Sequence, residues 1–302
     1  MSTVSSKTKA LAAYLGTSVA WGSTFYLYKI ALHTFTPIGS GFMRCALGAF
    51  TLLLLSARAK AALPKGRMVW FHLWMVSLFA SVIPGVLVPL AETKVTSALA
   101  GIIAGMIPLM TLLFILVVFR EEKVHPHQLV GLVIGLLGLL VVTGVWHGFG
   151  KNPWWAVISL LLMITSYGAA FPYIKRYLTP RNLAPLTLAT GQQIMSALTL
   201  LPLFVLDGMK TSLGAGSLLS VLSLGIFAGG YAFMWNFQTV EVFGSSVAST
   251  VEYTAALVAV LAGVLFLDEP LFWYQVVGGV VVLLGAMIGW GQISLPRKAV
   301  KH

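Results

Sequence analysis

Of the 302 residues, 58% are hydrophobic and only 9% are charged, and the mean hydropathy is +0.93. A soluble domain is about 25% charged, so this chain has too few polar groups to cover a water-facing surface, and a soluble globular protein is excluded. The net charge of +11 is scattered in short clusters between long apolar runs, which leaves no room for a nucleic-acid-binding or soluble catalytic domain.

The apolar runs have the length an α-helix needs to cross a hydrocarbon core of about 30 Å. A β-barrel would need short segments of alternating polarity, and none is present. Ten spans are expected, at about 10–32, 37–56, 70–91, 95–118, 127–146, 154–174, 185–206, 216–238, 245–266 and 273–293. The first carries Trp21, Phe25 and Lys29 and is followed by no small-residue cleavage site, so it reads as a retained helix. The second holds Arg44 in its middle third, together with Cys45, the single cysteine, which can form no internal disulfide. Pro84 sits in the middle of the third, where a missing backbone donor kinks a helix. Gly131, Gly135 and Gly138 form a stripe on one face of the fifth, the pattern that lets membrane helices approach closely.

In the second half, Tyr167 and Phe171 share a face of the sixth span, and Gln192 lies in the seventh. Tyr231, Trp235 and Asn236 lie in the eighth, and Glu252 in the ninth. The spacing Glu122-x-x-His125 resembles half of a di-iron motif. The second half offers Glu269-Pro-Leu-Phe without histidine, so no metal site or cofactor is expected and the stretch reads as a solvated loop. With the N-terminus in the cytoplasm, fourteen of the nineteen Lys and Arg residues fall on the cytoplasmic side. The positive-inside rule then places both termini there, in a multi-pass protein of the cell (inner) membrane.

The two halves repeat one another. Glu122 and Glu269, Gln128 and Gln275, Gly131 and Gly278, and Gly138 and Gly285 are each separated by 147 residues. "WGSTFYLYK" at 21–29 aligns with "YGAAFPYIK" at 167–175, and "TPIGSGFMRCALGAFTLL" at 36–53 with "APLTLATGQQIMSALTLL" at 184–201. The offsets are 146 and 148, so Arg44 and Gln192 are equivalent, as are Trp21 and Tyr167. Five spans per unit is an odd number, so the second copy must enter the membrane from the opposite side. The expected architecture is all-α: ten transmembrane helices as two five-helix inverted repeats, residues 10–146 and 154–293, around a central cavity. Secondary transporters with such repeats expose a midplane site to each side in turn.

In these features the chain resembles the EamA-domain branch of the drug/metabolite transporter superfamily. The resemblance rests on "WG" with a following Lys, an Arg in span two after a Pro, "P-x12-E" from Pro108 to Glu121, and "E-x5-Q-x2-G-x6-G" closing each half. The family's Pro in span nine is replaced by Ala255. The resemblance implies a central substrate cavity and export of small metabolites.

A charged side chain in mid-span costs about 2.5–3.5 kcal/mol on insertion scales and faces a cavity or a partner. Arg44 and Glu252 are therefore the leading substrate-binding candidates, with Glu252 the coupling candidate if protons are the coupling ion. Trp21, Phe25, Lys29, Pro84, Tyr167, Phe171, Gln192, Tyr231, Trp235 and Asn236 complete the expected cavity lining. The expected function is secondary transport, as an exporter, of amino acids or related amphipathic solutes, by a monomer or weak dimer in the lipid bilayer. The alternatives are multidrug or cation efflux and, in a different class, an intramembrane enzyme. The chain shows no phosphate-binding glycine loop, and its histidines lie in loops, at span ends or at the terminus. No enzyme is expected. A single cysteine placed at Lys151 in a chain lacking Cys45 should react with an impermeant reagent from outside intact cells. Labelling only after permeabilisation would overturn the inverted topology.

Overall fold

Helix ends in this chain are set by local chemistry, and the computed structural model describes them for residues 2–120, 125–143, 153–211, 214–268 and 273–289. Thr36 accepts a hydrogen bond from Gly39 N at 3.0 Å with Pro37 in the first turn, and Thr96 accepts one from Leu99 N at 3.1 Å. Both are N-caps that satisfy a donor the helix cannot. The helices in chain order are α1 (Ser2–Gly22), α2 (Thr24–Ala31), α3 (Pro37–Arg58), α4 (Arg67–Ser77), α5 (Ile83–Glu92), α6 (Ser97–Ala104) and α7 (Ile107–Phe114). Then follow α8 (Pro126–Thr143), α9 (Trp154–Tyr177), α10 (Pro185–Asp207), α11 (Ala215–Ser223), α12 (Ala232–Ser249), α13 (Val251–Leu267) and α14 (Trp273–Gly289). The described residues contain no strand, only an isolated antiparallel bridge between Phe35 and Met209.

Among the described residues, six helical runs are long and apolar enough to cross a membrane: Pro37–Arg58, Arg67–Glu92, Ser97–Phe119, Trp154–Arg181, Pro185–Asp207 and Ala215–Ser249. Pro126–Gly138 and Val251–Leu267 are shorter apolar helices. The chain is an all-helical, multi-pass membrane protein. The first helix begins at Ser2, ahead of the expected start at 10, because residues 2–9 contain neither Gly nor Pro to stop it. The eighth span also runs past its expected end at 238, to Gly244, whose φ of 81° turns the chain into Ser245. That left-handed backbone suits only glycine at low cost. Residues 121–123, Lys151, Glu269, the span ends 144–146 and 290–293, and the basic residues Arg297, Lys298 and Lys301 lie outside the described residues.

Three long runs widen into π-helical turns, at Leu78–Val82, Ile115–Phe119 and Leu224–Tyr231. The first precedes Pro84, whose ring would clash with the carbonyl of Ala80 and which donates no hydrogen bond to it. Ile83 N bonds Leu78 O, five residues back, and the extra residue relieves the clash. The third contains no proline. Gly225, Gly229 and Gly230 weaken that helix, and α3 presses on it.

Packing crosses between the halves of the chain. α1 lies against α12 and α13, while α9 lies against α5 and α7; α3 lies against α10 and the Leu224–Tyr231 turn; α8 pairs with α14. The last pair meets on its glycines. A Cβ on Gly138 would lie 2.6 Å from Val282 N, and one on Gly285 would lie 2.5 Å from Gly135 N. Gly48 meets Gly229 as closely, its added Cβ falling 2.6 Å from the Gly229 carbonyl.

Gly48→Leu should therefore force α3 away from the Leu224–Tyr231 turn and destabilise the protein by at least about 1–3 kcal/mol, read as a fall in melting temperature in detergent. Gly214→Ala is the control, since nothing lies within 4 Å of its added Cβ, and it should lower the melting temperature far less, by no more than the modest cost of alanine at a helix N-cap.

Candidate functional site

One cavity gathers chemistry at the centre of the bundle. Trp21, Thr24, Phe25, Tyr28, Arg44, Ala80, Pro84, Val88, Ala104, Ile107, Met163, Tyr167 and Glu252 line it, and its volume is about 50 Å³. That is room for a few water molecules, far below the roughly 300 Å³ or more of a typical ligand pocket. The conformation is contracted.

The Leu224–Tyr231 turn organises one wall. Ala232 N, which in an α-helix would return to Ala228, bonds Phe227 O instead. The Ala228 carbonyl accepts hydrogen bonds from Trp21 Nε1 at 3.2 Å and Arg44 Nη2 at 3.4 Å. Phe233 lies between these two donors, with its ring 5.4 Å from that of Trp21 and 5.5 Å from the Arg44 guanidinium. Tyr167 sets its ring edge-on to Trp21 at 5.5 Å and to Phe171 at 5.6 Å. Such edge contacts and the cation–π contact stabilise by about 0.5–2 kcal/mol each. The aromatic cluster therefore fixes where the guanidinium sits.

Arg44 and Glu252 are both buried, at 7% and 4% exposure. They line the same cavity, yet neither Arg44–Glu252 nor any other ion pair to Glu252 occurs among the described residues. A guanidinium and a carboxyl group share one small space without forming an ion pair.

Six of the twelve expected lining residues meet here: Trp21, Phe25, Arg44, Pro84, Tyr167 and Glu252. The other six sit elsewhere. Lys29 donates to the carbonyls of Glu92 (2.7 Å) and Val95, closing the C-terminal end of α5. Phe171 stands behind Tyr167, and Gln192 is buried against Ser81, donating to its Oγ at 3.0 Å. Asn236 is buried on α12 without lining the cavity. Tyr231 and Trp235 pair at 5.5 Å, and Trp235 lies in a lateral groove with Leu15, Gly16, Val19 and Phe227. Val19 and Phe227 there are more than half exposed, so that groove faces the lipid. In this helix 231 and 235 share one face, and 233, about 200° away, is the inward aromatic.

The sequence reading missed Tyr28 and Phe233. Tyr28 continues the stripe of Trp21 and Phe25 at the helical i, i+4, i+7 spacing, which was a usable signal. Phe233 had none beyond its place between two more conspicuous aromatics.

Comparison with known proteins gives a consistent picture. The pattern of the EamA-like transporter family matches residues 8–144 and again 154–289. An uncharacterized transporter of Archaeoglobus fulgidus is 26% identical over 277 residues, covering 89% of this chain and 94% of its own. The uncharacterized inner membrane transporter YedA of Escherichia coli K12 is 24% identical, with 93% and 91% covered. A solved crystal structure superposes with a TM-score of 0.72 at 20% identity over 92% of this chain and 98% of that one, a likeness of fold.

Replacing Lys29 by Met should remove the cation from the end of α5 and lower stability by about 1 kcal/mol, measured as a lower melting temperature. Lys29→Arg should recover most of it.

Proposed function

The chain belongs to the EamA-like transporter family, and on that premise we propose that it carries small solutes bearing both an acidic and a basic group, amino acids or related metabolites, by alternating access. The observation that carries this reading is the unclosed pair, Arg44 and Glu252, facing one cavity walled by Trp21, Phe25, Tyr28 and Tyr167. A solute with a carboxylate, an ammonium and an apolar body would satisfy each of these surfaces. Net export follows the resemblance to metabolite exporters.

Contacts at repeat-equivalent positions support the two-fold arrangement that alternating access needs. Arg44 and Gln192 are 148 residues apart, Ser81 and Ala228 are 147 apart, and the bonds Arg44–Ala228 and Gln192–Ser81 join them crosswise. Arg120 and Asp268, again 148 apart, both end their helices in the left-handed conformation at φ 52° and 53°. The ends of the bundle follow the same rule. Ser220 Oγ donates to Leu27 O at one end, and at the other His72 Nδ1 and Tyr173 Oη share a hydrogen bond of 2.8 Å. His72 and Ser220 are 148 apart, and Leu27 and Tyr173 are 146 apart. With both ends held and the cavity contracted, this is the form expected between the two open states. On the proposed topology the His72–Tyr173 closure is cytoplasmic.

Glu252 is the proposed proton-coupling residue and Arg44 the anchor for the solute's anionic group. In proteoliposomes, counterflow should identify the solute. Glu252→Gln should abolish pH-driven accumulation while sparing exchange, and Arg44→Gln should weaken binding itself by about tenfold or more. An unaltered pH dependence in a well-folded Glu252→Gln protein would remove the coupling role.

A further inference from the structure

We infer that Tyr28 is a specificity-determining residue whose hydroxyl, beside Arg44, takes a second oxygen of the solute's carboxylate. The inference rests on the reading of Arg44 as the anion anchor and adds a partner that neither the repeat nor the charge pattern indicated.

Tyr28 is fully buried, at 0% exposure, and lines the same cavity as Arg44 and Glu252. Its hydroxyl has no hydrogen-bond partner, and neither does Arg44 Nε. A buried donor left unmade carries a desolvation cost, and here two such donors belong to side chains that line one cavity. The phenol stands where α2 meets the break of the third span: a Cβ on Gly85, next to Pro84, would come within 4.0 Å of the Tyr28 oxygen. Glycine at 85 leaves that hydroxyl unobstructed, since even an added Cβ would only reach ordinary contact with it.

The chemistry of the two donors selects the ligand. A guanidinium N–H and a phenol O–H can each serve one oxygen of a carboxylate, and hydrogen bonds to an ionised acceptor are the stronger kind. A carboxamide is neutral and presents only one acceptor oxygen, so the phenol loses its acceptor or turns to accept from the NH₂, and in either case the charge-assisted bond is lost. Sites that hydrogen-bond a particular group reject the analogue lacking it, because their own polar atoms are then left unpaired. Glu252, on the same cavity, is free to take the ammonium of the same solute. The site thus reads head-group chemistry through Arg44 and Tyr28 together.

The test uses the purified full-length protein in detergent, with thermal shift as the binding readout. The probes are a panel of L-amino acids, each against its own carboxamide. Wild type should bind acids more tightly than amides. Tyr28→Phe keeps the ring and its packing, and should reduce the acid-to-amide affinity ratio about tenfold. It should leave the melting temperature without solute unchanged or raised, because the hydroxyl it removes has no partner. An unchanged ratio would overturn the inference, and so would a lowered solute-free melting temperature, which would make the hydroxyl structural. If Arg44→Gln abolishes the preference while Tyr28→Phe does not, the role of Tyr28 falls and the anion anchor stands. If no acid is preferred by wild type, both fall.

Discussion

Hydrocarbon offers no partner for a freed backbone group, so each irregular stretch inside a membrane must be answered by protein. That constraint organises this bundle. The Leu224–Tyr231 turn frees the Ala228 carbonyl from its usual partner, and Trp21 and Arg44 both donate to it. Near the Pro84 break, Ser166 Oγ donates to Phe79 O at 3.0 Å and Gln192 to Ser81. Where α5 ends, Lys29 supplies the donor. In most of these cases the responding side chain comes from the opposite half of the chain. The irregular turns are therefore stitches between the halves, and the cavity lies where those stitches converge.

The long spans were legible in the sequence because bilayer thickness imposes a length on every apolar run. Their breaks were legible only in part. Pro84 announced the turn at Leu78–Val82. The turn at Leu224–Tyr231 depends on how closely α3 approaches glycines 225 and 229, a fact of tertiary packing that no local pattern encodes. The rotation of each helix was the least legible feature. In a soluble protein the apolar face points inward, but lipid is as apolar as a helix neighbour. Hydrophobicity therefore could not tell that Phe233, and not Tyr231 or Trp235, packs inward against Trp21 and Arg44. Charge could tell, because a buried ion has a strong reason to avoid lipid, and Arg44 and Glu252 do line the cavity.

A repeated scaffold moves symmetrically more easily than it binds symmetrically. The proposed alternation needs equivalent contacts at the two ends, and the pairs Leu27–Ser220 and His72–Tyr173 occupy equivalent places with different chemistry. Ser220 bonds a carbonyl, whereas His72 bonds a phenol and stacks on Tyr177 at 4.8 Å. The two closures need not have equal strength, and a small inequality is enough to bias which end opens first.

The same logic applies at the centre. Gln192 donates to Ser81 in a neutral pair and leaves its own Oε1 unpaired, while their counterparts put a guanidinium on a backbone carbonyl and leave Arg44 Nε unused. A solute with a distinct acidic head and apolar body has no two-fold axis of its own. A cavity built from two identical halves would bind it equally well in two opposite poses, and neither pose would present its groups to the same residues. Placing arginine on one half and glutamine on the other removes that degeneracy. In the proposed cycle the repeat supplies the motion, and the departures from the repeat, Arg44 for Gln192 and Trp21 for Tyr167, supply the orientation.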